Sequence, residues 1–250
     1  MSKLKTLHCK NEKDIQKFFE QTATGYQEMH GDPEKLFQYR MQILRDFAEL
    51  DKKKVLLDLG CGNGHHLYYL SSSIGRGIGV DFSTKMIEQA ERGLQEIDSL
   101  DNLEFMVDRA QELKSIEDQT ADIVICIGSF EHMLQRQLVL KQVYRVLKSR
   151  GQFTLMTPNG GYVWYRHLAP LLGAQTRHLS TDQFLRISEL KKMLSKQNFS
   201  IRQSGNWTFI PRGDMNKWQS ILLNILDIIG KIFKISQLRG GIVIRADKQD

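Results

Sequence analysis

Val55-Leu-Leu-Asp58-Leu-Gly60-Cys61-Gly62-Asn-Gly64-His65 is the stretch whose reading decides the fold. Its apolar start does not alternate with polar residues, which marks a strand buried on both faces. Three glycines at alternate positions follow, and a helical run begins at His65. Such glycines let the backbone turn sharply and admit a ligand closely, where any Cβ would obstruct. The turn lies at the carboxyl end of a first strand, the place where open α/β sheets bind ligands. A dinucleotide fingerprint would place its third glycine one position later, around a pyrophosphate. The spacing here is GxGxG, and Asp58 stands before it. An acid there suits an amino group or another cation better than a phosphate.

Outward from this turn the pattern repeats. Apolar runs at Gly77–Val80, Leu103–Val107, Ile123–Ile127 and Phe153–Met156 alternate with helical candidates at Thr84–Ile97 and Leu134–Lys148, and with a short segment at 109–116. Strand–helix alternation of this kind predicts a parallel sheet with right-handed crossovers, a doubly wound α/β fold. Helices are expected over Asp14–Glu20 and Glu34–Leu50, and residues 158–187 read as irregular. The tail predicts a helix at Ser188–Gln197, a strand at Phe199–Phe209, a long helix at Met215–Leu238 and a strand at Gly241–Arg245. Gly151 reads as the stop of the helix before the fifth strand.

Composition narrows the function classes. The chain has 250 residues, 41% hydrophobic and 26% charged, as in an ordinary globular protein able to bury a full core. The net charge of +6 is spread along the sequence, so it does not by itself indicate nucleic acid. Cys9, Cys61 and Cys126 are odd in number and widely spaced, which argues against a disulfide framework or a structural zinc site. No secretory signal is apparent at the N-terminus, and a cytoplasmic location is expected.

Two more acids complete the pattern around the turn. Asp81 ends the second strand, where a carboxylate can accept both hydroxyls of a ribose, and Asp108 ends the third, where one can accept from an adenine amine. The implied ligand carries an amino group, a ribose and an adenine.

Asp58 to Gly64, with Asp81, Asp108, the Ala121-Asp-Ile-Val-Ile-Cys-Ile-Gly-Ser-Phe-Glu-His132 segment and Leu147-Lys-Ser-Arg-Gly-Gln-Phe153, resembles the class I S-adenosylmethionine-dependent methyltransferases. The resemblance covers roughly residues 15 to 247. It implies a seven-stranded, mostly parallel sheet with the last strand antiparallel, and S-adenosylmethionine as cofactor, released as S-adenosylhomocysteine. Ser149-Arg150 replace the family's Pro-Gly, a change expected to touch only a turn. The resemblance further implies a lid over residues 1–50 ahead of a methyltransferase domain at 51–250, with acceptor-pocket insertions near 158–187 and 211–239. Cofactor contacts are expected from Asp58, Gly60, Cys61, Gly62, Gly64, Asp81, Phe82, Asp108, Arg109 and Ile127, with Tyr26 closing the lid and Arg40 meeting the cofactor's carboxylate. Asp108 has the alternative of capping the following turn, and Arg40 of facing water. His132 is the candidate base for a hydroxyl acceptor, with Glu131 orienting it and His178 as a second candidate; packing against the next helix is the alternative for His132. His65 and His66 are adjacent on a helix and are read as structural.

Glu131-His132, the Thr157-Pro-Asn159 strand exit and the apolar tail resemble ubiquinone-biosynthesis-type O-methyltransferases. The acceptor so implied is a hydroxylated, lipophilic small molecule; an RNA methyltransferase and a non-catalytic scaffold are the alternatives. No metal is expected. The helix near 217–234 carries a narrow polar stripe, Lys217, Ser220, Asn224, Asp227, Lys231 and Lys234, on an otherwise apolar surface. Such a helix is a lid, a dimer contact in a monomer-or-homodimer protein, or a peripheral membrane contact.

Overall fold

The computed structural model describes residues 7–25, 32–97, 100–172, 179–208 and 217–250. Two helices lead in: α1 (Glu12–Thr22), capped by the Asn11 side chain, and α2 (Pro33–Phe47), capped by Asp32 with Pro33 in its first turn. Then come β1 (Val55–Leu59), α3 (His65–Leu70), β2 (Arg76–Asp81), α4 (Thr84–Gln95), β3 (Leu103–Val107), β4 (Ala121–Ile127), α5 (Arg136–Val146) and β5 (Leu147–Pro158). A π turn at Trp164–Leu168 leads into the short α6 (Ala169–Leu171), and the chain closes with α7 (Ile187–Lys196), β6 (Phe199–Trp207), α8 (Lys217–Ile232) and β7 (Gly241–Lys248).

The seven strands form one sheet in the order β3-β2-β1-β4-β5-β7-β6. β1 to β5 are parallel, and β7 runs antiparallel between β5 and β6. Chain order reverses between β1 and β4, so their carboxyl ends form the switch point at which such sheets bind ligands.

Alternate residues of each strand feed opposite faces. Leu57, Leu59, Val124, Cys126, Phe153 and Leu155 pack beneath α5 and α7. Leu56, Ile123, Ile125, Ile127 and Met156 pack beneath α2, α3 and α4. Both faces being covered explains why the strands read as continuous apolar runs.

Two local expectations are corrected. Residues 109–116 form no helix, because Asp108 and Leu113, the latter at φ +43°, fold them into turns. The helix before β5 ends at Val146 rather than at Gly151, since Leu147 already pairs with Ala121 of β4. The left-handed turn that follows falls on Arg150 (φ +60°), so replacing a glycine there strains the backbone as well as changing a turn. In α8 the polar stripe is split: Asp227 is buried, whereas Lys217, Asn224, Lys231 and Lys234 are exposed, and so is much of the apolar arc.

Candidate functional site

The glycine turn is stapled to the neighbouring strand: Gly60 N and Cys61 N both donate to the Val80 carbonyl, at 2.7 and 3.1 Å. Gly60, Gly62 and Gly64 all have positive φ (+76°, +55° and +81°). Their surroundings differ. A Cβ on Gly60 would lie 2.6 Å from the Ser129 side chain, and one on Gly64 would lie 2.7 Å from the Phe105 ring. On Gly62 it would meet nothing nearer than the Met86 sulfur at 4.0 Å. The outer glycines therefore serve packing as well as the turn, and Gly62 is the one with room beside it.

Asp58 is wholly buried. Its Oδ2 lies 3.2 Å from His66 Nδ1, and its Oδ1 has no hydrogen-bond partner among the described residues. A buried carboxylate oxygen without a donor is costly. An ammonium brought by a ligand would satisfy it. His66 thus holds the acid of the motif, where sequence reasoning gave it only a structural place.

Asp81 is buried at the tip of β2, with Gly62 N on its Oδ2 (3.0 Å) and Ser83 N on its Oδ1 (2.9 Å). Burial pushes its pKa up to about 6 against the opposing pull of those two N–H groups, and the charges of Asp58 and Glu20 push the same way as burial. Two donated ribose hydroxyls would favour the ionised form. Phe82 follows, its carbonyl accepting from Gln16 Nε2 at 2.8 Å and its ring 5.9 Å from that of Phe19. Glu20 accepts from Thr84 N and Lys85 N. Helix α1 is therefore fastened across the exit of β2.

At the tip of β3, Asp108 accepts from Arg109 N (2.6 Å) and from both Ser115 N and Oγ (2.7 Å each). Its carboxylate shapes the following turn, as the capping alternative expects. The Arg109 side chain points to Glu12 and Glu112, at 3.9 and 3.8 Å. Cys61 turns its sulfur into the core, where burial pushes the thiol pKa well up. Ile127, also in the core, ends β4. Arg40 projects from α2 to the exit of β4: a Cβ on Gly128 would lie 3.1 Å from its Nη2, and its guanidinium sits 5.9 Å from the Trp207 ring centroid. Tyr26 and His178 lie outside the described residues.

Beyond β4 the chain makes a single turn, Phe130–His132, that buries Glu131 and His132. His132 Nδ1 lies 2.6 Å from Asp182 Oδ1, and the other Asp182 oxygen accepts from Leu179 N at 2.9 Å. The Phe19 ring packs edge-on against the imidazole at 5.2 Å. Glu131 accepts from Thr157 Oγ1 at 3.0 Å. Arg136, also buried, donates to the carbonyls of Phe130 and Glu131 and to Gln183 Oε1, tying the turn to residues 182–183. Burial pulls the His132 pKa down, but the Asp182 hydrogen bond and the Asp182 and Glu131 charges outweigh it and leave the imidazole above its ordinary value. Sequence reasoning missed Asp182 and Arg136. The nearest signal was the polar Thr181-Asp182-Gln183 run inside an insertion expected to shape the acceptor pocket.

Comparison with known proteins agrees with this geometry. A family model described as a methyltransferase domain matches residues 50–228. A demethylmenaquinone methyltransferase of Lactobacillus johnsonii is 28% identical over 75% of this chain and 85% of its own length. A ubiquinone biosynthesis O-methyltransferase of Hydrogenovibrio crunogenus is 23% identical over 69% of this chain and 72% of its own. Among solved structures, the methyltransferase bound to the Trm112 activator in Haloferax volcanii superposes with a TM-score of 0.71 at 19% identity, over 93% of this chain and 98% of that one. With the family matched over most of its length, the orphaned Asp58 oxygen beside the glycine turn and Asp81 at the next strand tip, the chain belongs to the S-adenosylmethionine-dependent methyltransferases.

Proposed function

We propose that this methyltransferase acts on a hydroxyl of a lipophilic or aromatic small molecule in the cytoplasm, with His132 as general base and Asp182 as its positioning residue. The 2.6 Å contact between these two buried side chains is the observation that carries the reading. When bound, S-adenosylmethionine supplies an electrophilic methyl group on a sulfonium that is already a good leaving group. Along the Gly60–Gly64 turn, Asp58 Oδ1 would receive its ammonium, Asp81 its ribose hydroxyls and Arg40 its carboxylate. Asp108 and Arg109 would stand beside its adenine and Ile127 would line the β4 wall, with α1 and α2 as the lid.

A hydroxyl acceptor must lose a proton as the methyl arrives. Donation of Nδ1–H to Asp182 leaves Nε2 as the basic nitrogen, and it takes that proton. The carboxylates of Asp182 and Glu131 outnumber the Arg136 cation, so the resulting imidazolium is stabilised. Glu131 thus supports the base through charge, held by Thr157. The insertions near 158–187 and 211–239 are assigned to the acceptor, and among their described residues the aromatic pairing of Tyr165 with Phe184 (4.9 Å), next in sequence to Gln183 and Asp182, supports an aromatic or isoprenoid occupant.

The test is methyl transfer from labelled S-adenosylmethionine to a panel of hydroxylated aromatics and quinone precursors. His132→Gln should lower kcat by about 10²–10⁴-fold with cofactor affinity retained. His132 must be neutral to act, so kcat/KM falls as pH falls through its raised pKa. Asp182→Asn removes the principal group raising it and moves this acid limb to lower pH. Transfer only to carbon or nitrogen acceptors, with His132→Gln at the wild-type rate, would sink the proposal.

A further inference from the structure

The outward face of α8 belongs to neither the core nor the site. Trp218, Ile221, Ile225, Ile228 and Ile232 recur at three- to four-residue steps, Phe233 follows directly, and all six are at least half exposed, up to 69% for Phe233. The opposite face is already used. Leu223 is buried with Tyr162, Trp164 and Ala169, and Asp227 pairs with Arg239 at 2.9 Å with both side chains buried. Asn159 Nδ2 donates to the carbonyls of Ser236 and Arg239, at 2.8 and 3.0 Å, and fixes the segment after the helix. The helix is therefore held in place with its apolar face outward, and turning that face inward would break a buried ion pair.

We propose that this face lies in the headgroup region of an anionic lipid bilayer, with α8 parallel to the surface. Charge selects this occupant. The exposed charges of α8 are Lys217 and Lys231, with Lys234 just beyond, and its single acid, Asp227, is the buried partner of Arg239. A second copy seated on the same face would set lysines near lysines with no exposed acid on the helix to compensate, whereas anionic headgroups complement them. Among the described residues no helix is long and apolar enough to cross a membrane, so the contact is interfacial. Topology gives it a use. β7 begins at Gly241, paired with Pro158 at the carboxyl end of β5, the same sheet end that carries the glycine turn and His132. An acceptor dissolved in the bilayer reaches the protein on the side where its base stands.

The experiment is co-sedimentation of the full chain with vesicles of phosphatidylcholine alone, or of phosphatidylcholine and phosphatidylglycerol in equal parts, at low and high salt. Binding should require the anionic lipid and weaken with salt. Each lysine near the surface contributes about fivefold, so Lys217→Glu/Lys231→Glu should weaken binding at least ~25-fold. Ile221→Glu/Ile228→Glu/Ile232→Glu should abolish it while leaving the melting temperature and S-adenosylmethionine affinity at wild-type values, because these side chains touch solvent. Those last two readouts separate failure of this inference from failure of the methyl-transfer reading. No sedimentation at low salt, or a wild-type dimer that the triple variant converts to monomer, would overturn it.

Discussion

Asp81 is held in a state that costs the empty protein stability, and replacing it with asparagine exposes that cost. Its carboxyl is raised from 3.8 to about 6 by burial. An acid whose pKa is raised by folding is at its most favourable while protonated, below about 3.8. The fold loses that advantage as pH rises through about 6. The gap of roughly two units corresponds to about 3 kcal/mol by pH 8, at about 1.4 kcal/mol per unit. Asparagine keeps one acceptor for Gly62 N or Ser83 N but presents its amide to the other, which returns about 1–3 kcal/mol of the gain. The absolute change is therefore small, and the pH slope is what discriminates. Integrating the two titrations, the stability of Asp81→Asn relative to wild type should improve by about 1.4 kcal/mol between pH 5 and pH 8. Urea unfolding of both proteins without cofactor at those two pH values measures it. In parallel, calorimetry should show S-adenosylmethionine binding weakened about 10- to 100-fold, since hydrogen bonds to a charged acceptor contribute about 1.5–3 kcal/mol each. A relative stability that is flat with pH would mean Asp81 ionises like a surface carboxylate and refute the burial argument; unchanged cofactor affinity would refute the ribose assignment.

Other perturbations probe separate links. Gly64→Ala forces a Cβ to 2.7 Å from Phe105 at a positive φ, and should cost about 2–4 kcal/mol in urea unfolding, whereas Gly62→Ala, with only the φ penalty, should cost about 1–2. Arg150→Gly relieves a left-handed arginine at an exposed turn and should raise stability by up to about 1 kcal/mol, read as a small rise in melting temperature. Phe19→Ala removes the ring that touches both Phe82 and His132, and should weaken cofactor binding and lower kcat together, where a purely structural loss would change neither once the protein is folded.

The sheet was legible because its signals are local. A non-alternating apolar run, a glycine turn and an acid at a strand tip each sit within a few residues of one another, and their order fixes the winding. The same locality found Asp58, Asp81 and His132. It could not find Asp182, which reaches His132 across 50 residues of chain through a loop with no periodicity. It left His66 structural, because adjacency on a helix says nothing about which of two histidines meets the preceding strand. For α8 the periodicity was legible, but which residues turn inward was not. Sequence gives the arc of apolar residues, but it does not show that Arg239, twelve positions from Asp227, draws that one acid of the stripe inward.

The contacts that reach His132 converge on α1. α1 is fastened to the exit of β2 by Gln16 and Glu20, at the residues that flank Asp81. Its Phe19 then spans from Phe82 to the imidazole of His132. Asp182, which holds that imidazole, sits at the end of a segment bridged to the residues ahead of α1, through Ser180 and Cys9. One helix therefore packs over the exit of β2 and against His132 at once. On the proposed role of His132 as base, α1 seated over the ribose side would also shield that imidazole and Asp182 from water. Excluding water strengthens the electrostatic coupling between that imidazole and its carboxylate. On the proposed assignment, cofactor binding and base activation would be one structural event, carried by α1 and the residues ahead of it.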